Sequence, residues 1–300
     1  MIPDEKIETE KYSKQRVVLT LSAAAATALP LDIASKTDPG MLRSLNEDFI
    51  ATVGDLGLLV LADGMGGHSR GDVASSIAAN TVVDVIRRRL RKDPQTPPGP
   101  LVRRAIKIAN GAVCLESTRR ESLPNIDRER TMGSTIAVLL FRGDRVTIAH
   151  VGDSRVYRLR EHRIELLTHD HSLLQEQIDL GILDAESAGA SHNRHLVTRG
   201  LGFNARINVS LQESDALPGD LYLICSDGLN DMVDNPDIEL VLDLLQANLP
   251  LAASQLVMIA NDNGGEDNVS VILAKVGGAR ADDVDERGFF ARLFARLSGR

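Results

Sequence analysis

The stretch LVLADGMGGH, residues 59–68, joins an apolar run to an acid and a glycine-rich turn. The run begins at Leu58 and stops at Asp63. A short apolar run that ends in glycine is typical of a buried strand. The carboxylate at its end is either an ordinary turn residue or a ligand that the strand holds towards a bound group. Acids at the ends of other strands favour the second interpretation.

The same pattern recurs at three other predicted strands. The runs RVTIAHVGDS and DLYLICSDG end in Asp153 and Asp227, and in GGEDNVSVIL the acid Asp267 comes directly before the strand. In an antiparallel sheet the end of one strand lies beside the start of its neighbour, so all four acids can gather at one edge. Clustered carboxylates repel one another unless cations neutralise them. Because the ligands are oxygens, the predicted cation is hard: Mg²⁺, Mn²⁺ or Ca²⁺.

A further acidic stretch, RSLNEDF at residues 43–49, precedes the strand that ends at Asp63. It contains Arg43, Glu47 and Asp48, and a hairpin would bring them close to the other acids. An arginine beside a carboxylate-rich site suits phosphate chemistry, because the planar guanidinium matches phosphate oxygens. Two metal ions about 3.5–4 Å apart can share a water and lower its pKa, so that a hydroxide attacks phosphorus in line.

The spacing of apolar residues predicts two long helices, at residues 72–90 and 101–120. Between them, DPQTPPGP at 93–100 holds four of the eleven prolines and predicts a linker, since proline breaks a helix. Two hairpins follow at 134–152 and 155–168. Further strands are predicted at 220–226 and 268–276, and further helices at 235–249 and 250–262. Hairpins dominate, so we expect an α+β fold with antiparallel sheets and helices outside them.

Composition narrows the class of protein. The 300 residues are 43% apolar and only 3% aromatic, which predicts an aliphatic core. A formal net charge of −8 disfavours nucleic-acid binding. The two cysteines, Cys114 and Cys225, form neither a disulfide framework nor a zinc motif, which fits a cytoplasmic setting. No stretch is apolar enough to span a bilayer, and the acids that precede the faintly signal-like residues 17–30 argue against secretion.

Two segments fit the sheet-and-helix pattern poorly. Residues 165–205 are predicted to form a lid or a binding loop. Their four histidines lack the H-E-x-x-H form of a zinc site, so the ordinary interpretation is that they are solvated loop residues. Those histidines are His169, His171, His192 and His195. The end of the chain, GFFARLFARLSGR, predicts a short basic amphipathic helix. The alternatives for that helix are docking on the domain, binding a partner and contacting a membrane surface.

Eight fragments in order resemble the bacterial branch of the metal-dependent type-2C protein phosphatases, the PPM family. They lie between about residues 31 and 277: RSLNED, LADGMGGH, MGSTIAVLL, AHVGDSRVYRLR, THDHSL, LVTRGLG, LICSDGLND and GGEDNVSVIL. Any one fragment is weak, but eight in the family's order are specific. The resemblance implies a central antiparallel β-sandwich flanked by pairs of antiparallel helices, which agrees with the pattern above.

The resemblance also implies a site for two Mn²⁺ or Mg²⁺ ions. Asp63 would bridge the two ions. It would be a turn residue by its local geometry and a metal ligand because of the acids around it. Glu47 and the carbonyl of Gly64 would serve one ion. Asp227 and Asp267 would serve the other. A glycine suits the carbonyl ligand because the backbone must approach closely there.

Other roles carry over from the same resemblance. Asp48 would orient metal-bound water, and Arg43 would hold the substrate phosphate. Some family members carry a histidine, proposed as general acid, where this chain has Met65. The proton donor is therefore open between His68 and metal-bound water.

A weaker third metal is linked in the family to the positions of Asp153 and Asp231. Bacterial members add another acid just before a Met-Gly pair, which here is Asp127 or Glu129. Residues 165–205 match the family's flap, which lies beside the active site and affects the choice of substrate.

The resemblance implies a protein serine/threonine phosphatase that hydrolyses phosphoserine and phosphothreonine through a metal-bridging hydroxide. Its expected counterpart is a bacterial eukaryote-like Ser/Thr kinase. The alternatives are a non-catalytic phosphatase fold that only recognises partners, and a hydrolase of another phosphoester. The retained acids argue against the first alternative. The predicted organisation is an N-terminal extension (1–28), a catalytic domain (29–277), and a linker with a short helix (278–300).

Overall fold

The chain is described by a computed structural model over residues 30–66, 70–121, 132–183 and 196–277. Its strands are β1 (Leu31–Asp38), β2 (Phe49–Val53), β3 (Leu58–Ala62), β4 (Gly64–Met65), β5 (Gly133–Ser134), β6 (Ile136–Arg142), β7 (Arg145–Val151), β8 (Arg155–Arg160), β9 (Arg163–Leu166), β10 (Ser210–Asp215), β11 (Leu221–Cys225) and β12 (Val269–Val276). Its helices are α1 (Gly71–Lys92), α2 (Pro98–Glu121), α3 (Leu173–Asp179), α4 (Asp227–Asn230), α5 (Asn235–Leu245) and α6 (Leu249–Asp262).

Two antiparallel sheets form the centre of the molecule. One has the strand order β1-β12-β11-β8-β9 and the other β10-β7-β6-β3-β2. A two-stranded ribbon pairs β4 with β5. Helices α1 and α2 pack on the second sheet, and α5 and α6 pack on the first. The expected α+β sandwich flanked by helix pairs is therefore confirmed.

Three apolar layers hold this arrangement together. The layer between the sheets includes Leu61, Phe141 and Tyr222, and the rings of Phe141 and Tyr222 meet edge to face with centroids 5.3 Å apart. The other two layers lie between each sheet and its helices. Strands in such a sandwich are covered on both faces, which explains why residues 58–62 are continuously apolar rather than alternating.

Some predicted boundaries were wrong. Helix α2 begins at Pro98, so the linker is shorter than residues 93–100. Proline is tolerated in the first helical turn, where its missing N–H has no intrahelical partner to lose. Helix α5 ends at Leu245, and Asn248 caps α6 by accepting a hydrogen bond from the Leu251 N–H (3.2 Å). Strand β1 was not predicted, because its mixed polar and apolar residues show no strand pattern. It pairs with β12, more than 200 residues later in the sequence.

Several sequence predictions fall outside the described residues. They concern the extension 1–28, His68, Asp127, Glu129, His192, His195 and the tail 278–300. The two ends of the predicted flap are described, and a bridge between Ser172 and Val197 ties them together. Within the described ranges, no helix combines the length and apolar character that a membrane crossing needs.

Backbone contact between β4 and the start of α1 fixes one end of the sandwich. A Cβ on Gly71 would lie 2.6 Å from the Gly64 carbonyl oxygen and 2.7 Å from the Glu47 carboxyl carbon. A Cβ on Gly64 would in turn meet the Gly71 carbonyl and lie 2.6 Å from the carbonyl oxygen of Glu47. Both positions therefore require glycine for space.

Gly71→Ala should lower the free energy of unfolding by about 1–3 kcal/mol, because the added methyl group overpacks this contact. Gly111→Ala is the matched control. Gly111 lies in α2, and a Cβ added there would have no atom within 4 Å. Alanine at this position should therefore raise the free energy of unfolding by roughly 0.5–1 kcal/mol. Urea unfolding of both variants measures the difference. Equal stability of Gly71→Ala and wild type would contradict the packing argument.

Candidate active site

The hairpin of β2 and β3 places two of the predicted acids side by side. Phe49, the first residue of β2, pairs with Ala62, the last residue of β3. Asp48 and Asp63 extend the two strands by one residue and are therefore neighbours. Their adjacency follows from the hairpin register, as the sequence predicted.

Strands from both sheets bring further acids to the same end. Strand β11 ends beside the start of β12, so Asp227 and Asp267 flank this junction. Asp153 follows β7 after Gly152. Asp231 lies one helical turn after Asp227, and its N–H donates to the Asp227 carbonyl (2.9 Å).

The acids repel one another strongly. Burial raises the pKa of the Asp63 carboxyl well above its usual range, and the charges of Asp48 and Asp227 raise it further. Burial likewise raises the pKa of Asp227 well above its usual range, followed by the charges of Asp153 and Asp231. A pKa raised by neighbouring carboxylates marks a place where negative charges are close together and poorly hydrated. These shifts therefore show that the acids share one site.

Asp153 lies deep in this site and is only 5% exposed. Burial raises its pKa to about 7, and the carboxylates of Asp170 and Asp231 add to the shift. The nearby Arg155 is bound to Asp170 through Nε (2.9 Å) and Nη2 (2.7 Å). Because this guanidinium is held by another carboxylate, Asp153 keeps its raised pKa.

Arg43 reaches the site on its exposed side. Its Nη2 donates to Asp267 Oδ2 (2.7 Å), and its Nε donates to the Glu266 carbonyl (3.3 Å). Both partners of the ion pair are exposed to solvent, at 54% for Arg43 and 40% for Asp267. The predicted phosphate-binding arginine thus contacts a predicted metal ligand. They border a cleft of about 240 Å³ together with Gly228, Asp231, Met232 and Glu266.

Glu47 lies between the acid cluster and the start of α1. Its Oε1 accepts a hydrogen bond from the Gly71 N–H (3.0 Å), and its carbonyl accepts one from Ser75 Oγ (2.5 Å). Burial raises the pKa of Glu47, although the Gly71 N–H acts in the opposite direction. The Gly64 carbonyl faces the same space, as the contact with Gly71 shows.

Asn268 was not assigned a role from the sequence, yet it fixes the loop that carries Arg43 and Glu47. Its Oδ1 accepts the Glu47 N–H (2.7 Å), and its Nδ2 donates to the carbonyls of Pro39 and Leu45 (both 2.9 Å). The only signal in the sequence was its place beside Asp267 in GGEDNVSVIL.

Buried hydroxyls position two of the acids. Ser226 Oγ donates to Asp48 Oδ2 (2.9 Å), and Ser226 is fully buried. The backbone of Asp63 is bound on both sides by Thr135, through Thr135 Oγ1 (3.0 Å) and the Thr135 N–H (2.8 Å). Thr135 Oγ1 also lies 2.7 Å from a second hydroxyl oxygen, Ser154 Oγ. Sequence patterns do not reveal such long-range partners.

His171 joins the predicted flap to the loop that carries Asp153. Its Nδ1 accepts the Gly152 N–H (3.1 Å), its own N–H donates to the Gly152 carbonyl (3.0 Å), and its carbonyl accepts the Thr198 N–H (2.8 Å). The ring stacks on His150 with centroids 4.7 Å apart. Burial and the neighbouring His150 lower the pKa of His171 to about 3. His171 is therefore a structural link and not a solvated loop histidine.

The donor set fits hard divalent cations. Asp63 and Asp227 are carboxylates that repel their neighbours, and within the described ranges no hydrogen bond or ion pair reaches their side-chain oxygens. In the same ranges no three Asp, Glu, His or Cys side chains already stand in coordinating geometry. Oxygen donors of this kind are typical ligands of Mg²⁺ and Mn²⁺.

The described part of the site contains each of the nine residues in the predicted set. They are Arg43, Glu47, Asp48, Asp63, Gly64, Asp153, Asp227, Asp231 and Asp267. Their neighbours Asn268, Ser226, Thr135 and His171 complete the arrangement. The site can gather positive ions among its acids and offers one guanidinium, Arg43, at the rim.

Comparison with known proteins places this site in a family. The family model described as Protein phosphatase 2C matches residues 43–256. The serine/threonine protein phosphatase PstP of Mycobacterium tuberculosis is 35% identical over 257 residues, which cover 84% of this chain and 46% of that protein. The chain thus spans about half the length of this relative. The serine/threonine phosphatase stp of Listeria monocytogenes is 31% identical over 245 residues, covering 80% of this chain and 94% of the relative.

Solved structures agree with the sequence comparison. A crystal structure of the M. tuberculosis phosphatase PstP/Ppp has a TM-score of 0.74 and 32% identity, covering 82% of this chain and 98% of that one. The PstP catalytic domain in complex with two manganese ions has a TM-score of 0.71, with the same identity and coverage. The chain therefore belongs to the protein phosphatase 2C family.

Proposed function

We propose that this chain is a metal-dependent protein phosphatase that hydrolyses phosphoserine and phosphothreonine in proteins. The observation that carries the proposal is the burial of two carboxylates, Asp63 and Asp227, among other acids, with no described group that neutralises them. A phosphate monoester brings more negative charge to this place. Binding it beside these acids requires cations, and the donor chemistry of the site suits them.

The proposed metal site holds two Mn²⁺ or Mg²⁺ ions. Asp63 would be shared by both ions, with Glu47 and the Gly64 carbonyl on one side and Asp227 and Asp267 on the other. Support comes from the position of these groups at one end of the sandwich and from the solved PstP catalytic domain in complex with two manganese ions. Asp153 and Asp231 are proposed for a weaker third ion, because their charges act on Asp227.

The ions would supply charge neutralisation and a more acidic water. The chain itself would orient the reactants. Asp48, held by the buried Ser226 hydroxyl at 2.9 Å, would accept a hydrogen bond from the attacking water and fix its direction. Arg43 would bind two phosphate oxygens through its planar guanidinium.

The wider assignment follows the same proposal. Residues 29–277 would form the catalytic domain, and residues 165–205 its flap, joined to the Asp153 loop through His171. Its substrates would be phosphoproteins made by a bacterial Ser/Thr kinase. The free cysteines Cys114 and Cys225 support a reducing, cytoplasmic setting.

A non-catalytic phosphatase fold is the second candidate function. Loss of ligand acids would favour it, but this chain keeps every acid of the proposed binuclear site. Catalysis is therefore the better account of the residues present.

Asp227→Asn should reduce manganese-dependent hydrolysis of a phosphothreonine peptide by roughly a hundredfold or more, since it removes a proposed ligand. It should also weaken Mn²⁺ binding in calorimetry. Asp55→Asn is the matched control, because Asp55 is an exposed acid in the turn after β2, at the other end of the hairpin. Activity without divalent metal, or full activity of Asp227→Asn, would refute the mechanism.

Arg43→Ala should lower kcat/KM for the same peptide by about 10- to 100-fold, because a charge-assisted hydrogen bond to phosphate is lost. The exposed Arg163 of β9 provides the control, and Arg163→Ala should leave kcat/KM unchanged. Steady-state kinetics at saturating Mn²⁺ measures both. Equal loss in the two variants would exclude a specific role for Arg43.

The metal-free protein should lose stability as the pH rises. The folded pKa of Asp153 is about 7 and exceeds the unfolded value of about 3.9, so between these pH values the folded state binds the extra proton. The free energy of unfolding therefore falls across this window. Asp153→Asn cannot ionise, so its stabilisation relative to wild type should grow from about pH 5 to about pH 7.5.

Urea unfolding in the presence of a chelator tests this pH dependence. Asp55→Asn serves again as the control and should give a curve parallel to that of wild type. A stability difference between Asp153→Asn and wild type that is constant with pH would contradict the shift.

A further inference from the structure

A basic groove runs between α1, α2 and β10, on the helical face of the second sheet. It consists of two adjoining hollows of about 580 and 500 Å³ that share Pro100, Arg104 and Ile108. The first hollow extends to Arg103, Lys107 and Glu213, and the second to Val85, Arg88 and Arg89. We call this surface the α1–α2 groove.

The groove concentrates positive charge in an acidic protein. Residues 84–110 contain eight Arg or Lys residues and two acids, whereas the whole chain has a formal net charge of −8. The two acids are already paired, Asp84 with Arg88 (3.2 Å) and Asp93 with Arg89 (3.1 Å).

Three cations of α2 remain available for a ligand. Arg103, Arg104 and Lys107 are exposed, and no carboxylate in the described ranges forms an ion pair with any of them. They lie within about one turn of each other and surround Ile108, which is 41% exposed. This combination of an apolar floor and a cationic rim suits a short acidic peptide that carries an apolar side chain.

The end of the described chain lies at the same end of the molecule as the entrance to the groove. The Val276 carbonyl accepts the Gly219 N–H (2.8 Å), just after the turn that follows β10. On the helical side, Arg142 Nη2 donates to the Pro94 carbonyl in the α1–α2 loop (2.7 Å). Arg145, in the next strand, pairs with Asp215 at the end of β10 (3.2 Å).

The next residues of the chain have the complementary charge. The sequence ADDVDE at 281–286 holds four acids around Val284 and no base. Gly219 lies six residues after Glu213, which lines the groove, so the two residues are at most about 20 Å apart. The five residues from Gly277 to Asp282 span up to about 17 Å, and Glu286 reaches further. Since the nine residues from Gly277 to Glu286 span up to about 30 Å, which is more than that limit, the acidic segment can reach the groove.

We propose that the acidic segment 281–286 docks in the α1–α2 groove of its own chain. Asp282, Asp283, Asp285 and Glu286 would pair with Arg103, Arg104 and Lys107, and Val284 would cover Ile108. A tether this short gives an effective concentration on the order of millimolar, so weak exposed ion pairs are enough to populate the contact. Salt weakens it, because the Debye length falls from about 10 Å at 0.1 M to about 3 Å at 1 M.

The experiment uses the full chain with a nitroxide at position 284, introduced as Val284→Cys in a Cys114→Ser background. Cys225 is fully buried and does not label. Paramagnetic broadening of backbone amides is then recorded. At low salt the amides of residues 103–108 should weaken several-fold, and they should recover in 1 M NaCl.

Charge reversal supplies the decisive comparison. Arg103→Glu/Lys107→Glu should abolish the broadening, and adding Asp282→Lys/Asp285→Lys should restore it. The control Lys36→Glu/Arg163→Glu makes the same change of charge at exposed residues on the other sheet. It should leave the broadening of the α2 amides unchanged. Thermal melts establish that each variant is folded.

Three outcomes would overturn the proposal. One is the absence of broadening in α2, and another is broadening that survives Arg103→Glu/Lys107→Glu. The third is broadening of amides when a chain that carries the nitroxide but no ¹⁵N is mixed with a ¹⁵N-enriched chain without the nitroxide. This result would identify a second copy of the chain as the occupant. If the groove instead binds an added acidic phosphopeptide while the tethered label leaves α2 unaffected, the occupant is a partner and the proposal fails.

Discussion

Carboxylate repulsion at one end of the sandwich is the constraint on which the rest of the structure depends. Two antiparallel sheets end there together, and the acids that continue their strands meet at close range. Burial raises the pKa values of Asp63, Asp153 and Asp227 there, and the neighbouring carboxylates raise them further. A fold that gathers these charges must hold them by other contacts, and it gains in return a strong attraction for divalent cations.

Those other contacts come from uncharged groups around the acids. Asn268 fixes the loop before β2, Thr135 holds the Asp63 backbone, and Ser226 holds the Asp48 carboxylate. Gly64 and Gly71 allow β4 and α1 to approach closely enough for Glu47 to join the site. None of these groups carries a charge, so they position the acids without neutralising them. The attraction for cations is therefore preserved.

Local sequence patterns predicted the parts of this arrangement that depend on pairing between strands close in sequence. The run 58–62 ends at Asp63, and the hairpin with β2 necessarily brings Asp48 beside it. The pairing of β1 with β12, by contrast, joins the two ends of the domain, and the mixed residues of β1 give no clear period. The roles of Asn268 and His171 depend on partners from distant segments, which a single sequence does not identify. Helix α2 began earlier than expected because proline in a first turn is compatible with a helix.

Arg43 would connect the proposed metal chemistry of the site to its proposed substrate chemistry. In the structure its guanidinium pairs with Asp267 at 2.7 Å, and so occupies the carboxylate that the proposed mechanism assigns to a cation. The other oxygen of Asp267 accepts the Asn268 N–H (2.8 Å), so a divalent ion at this residue would compete with the guanidinium for the carboxylate. The exposed guanidinium of Arg43 would then be available to a phosphate. The same event that supplies positive charge to the centre would then free the group that binds the substrate at the rim.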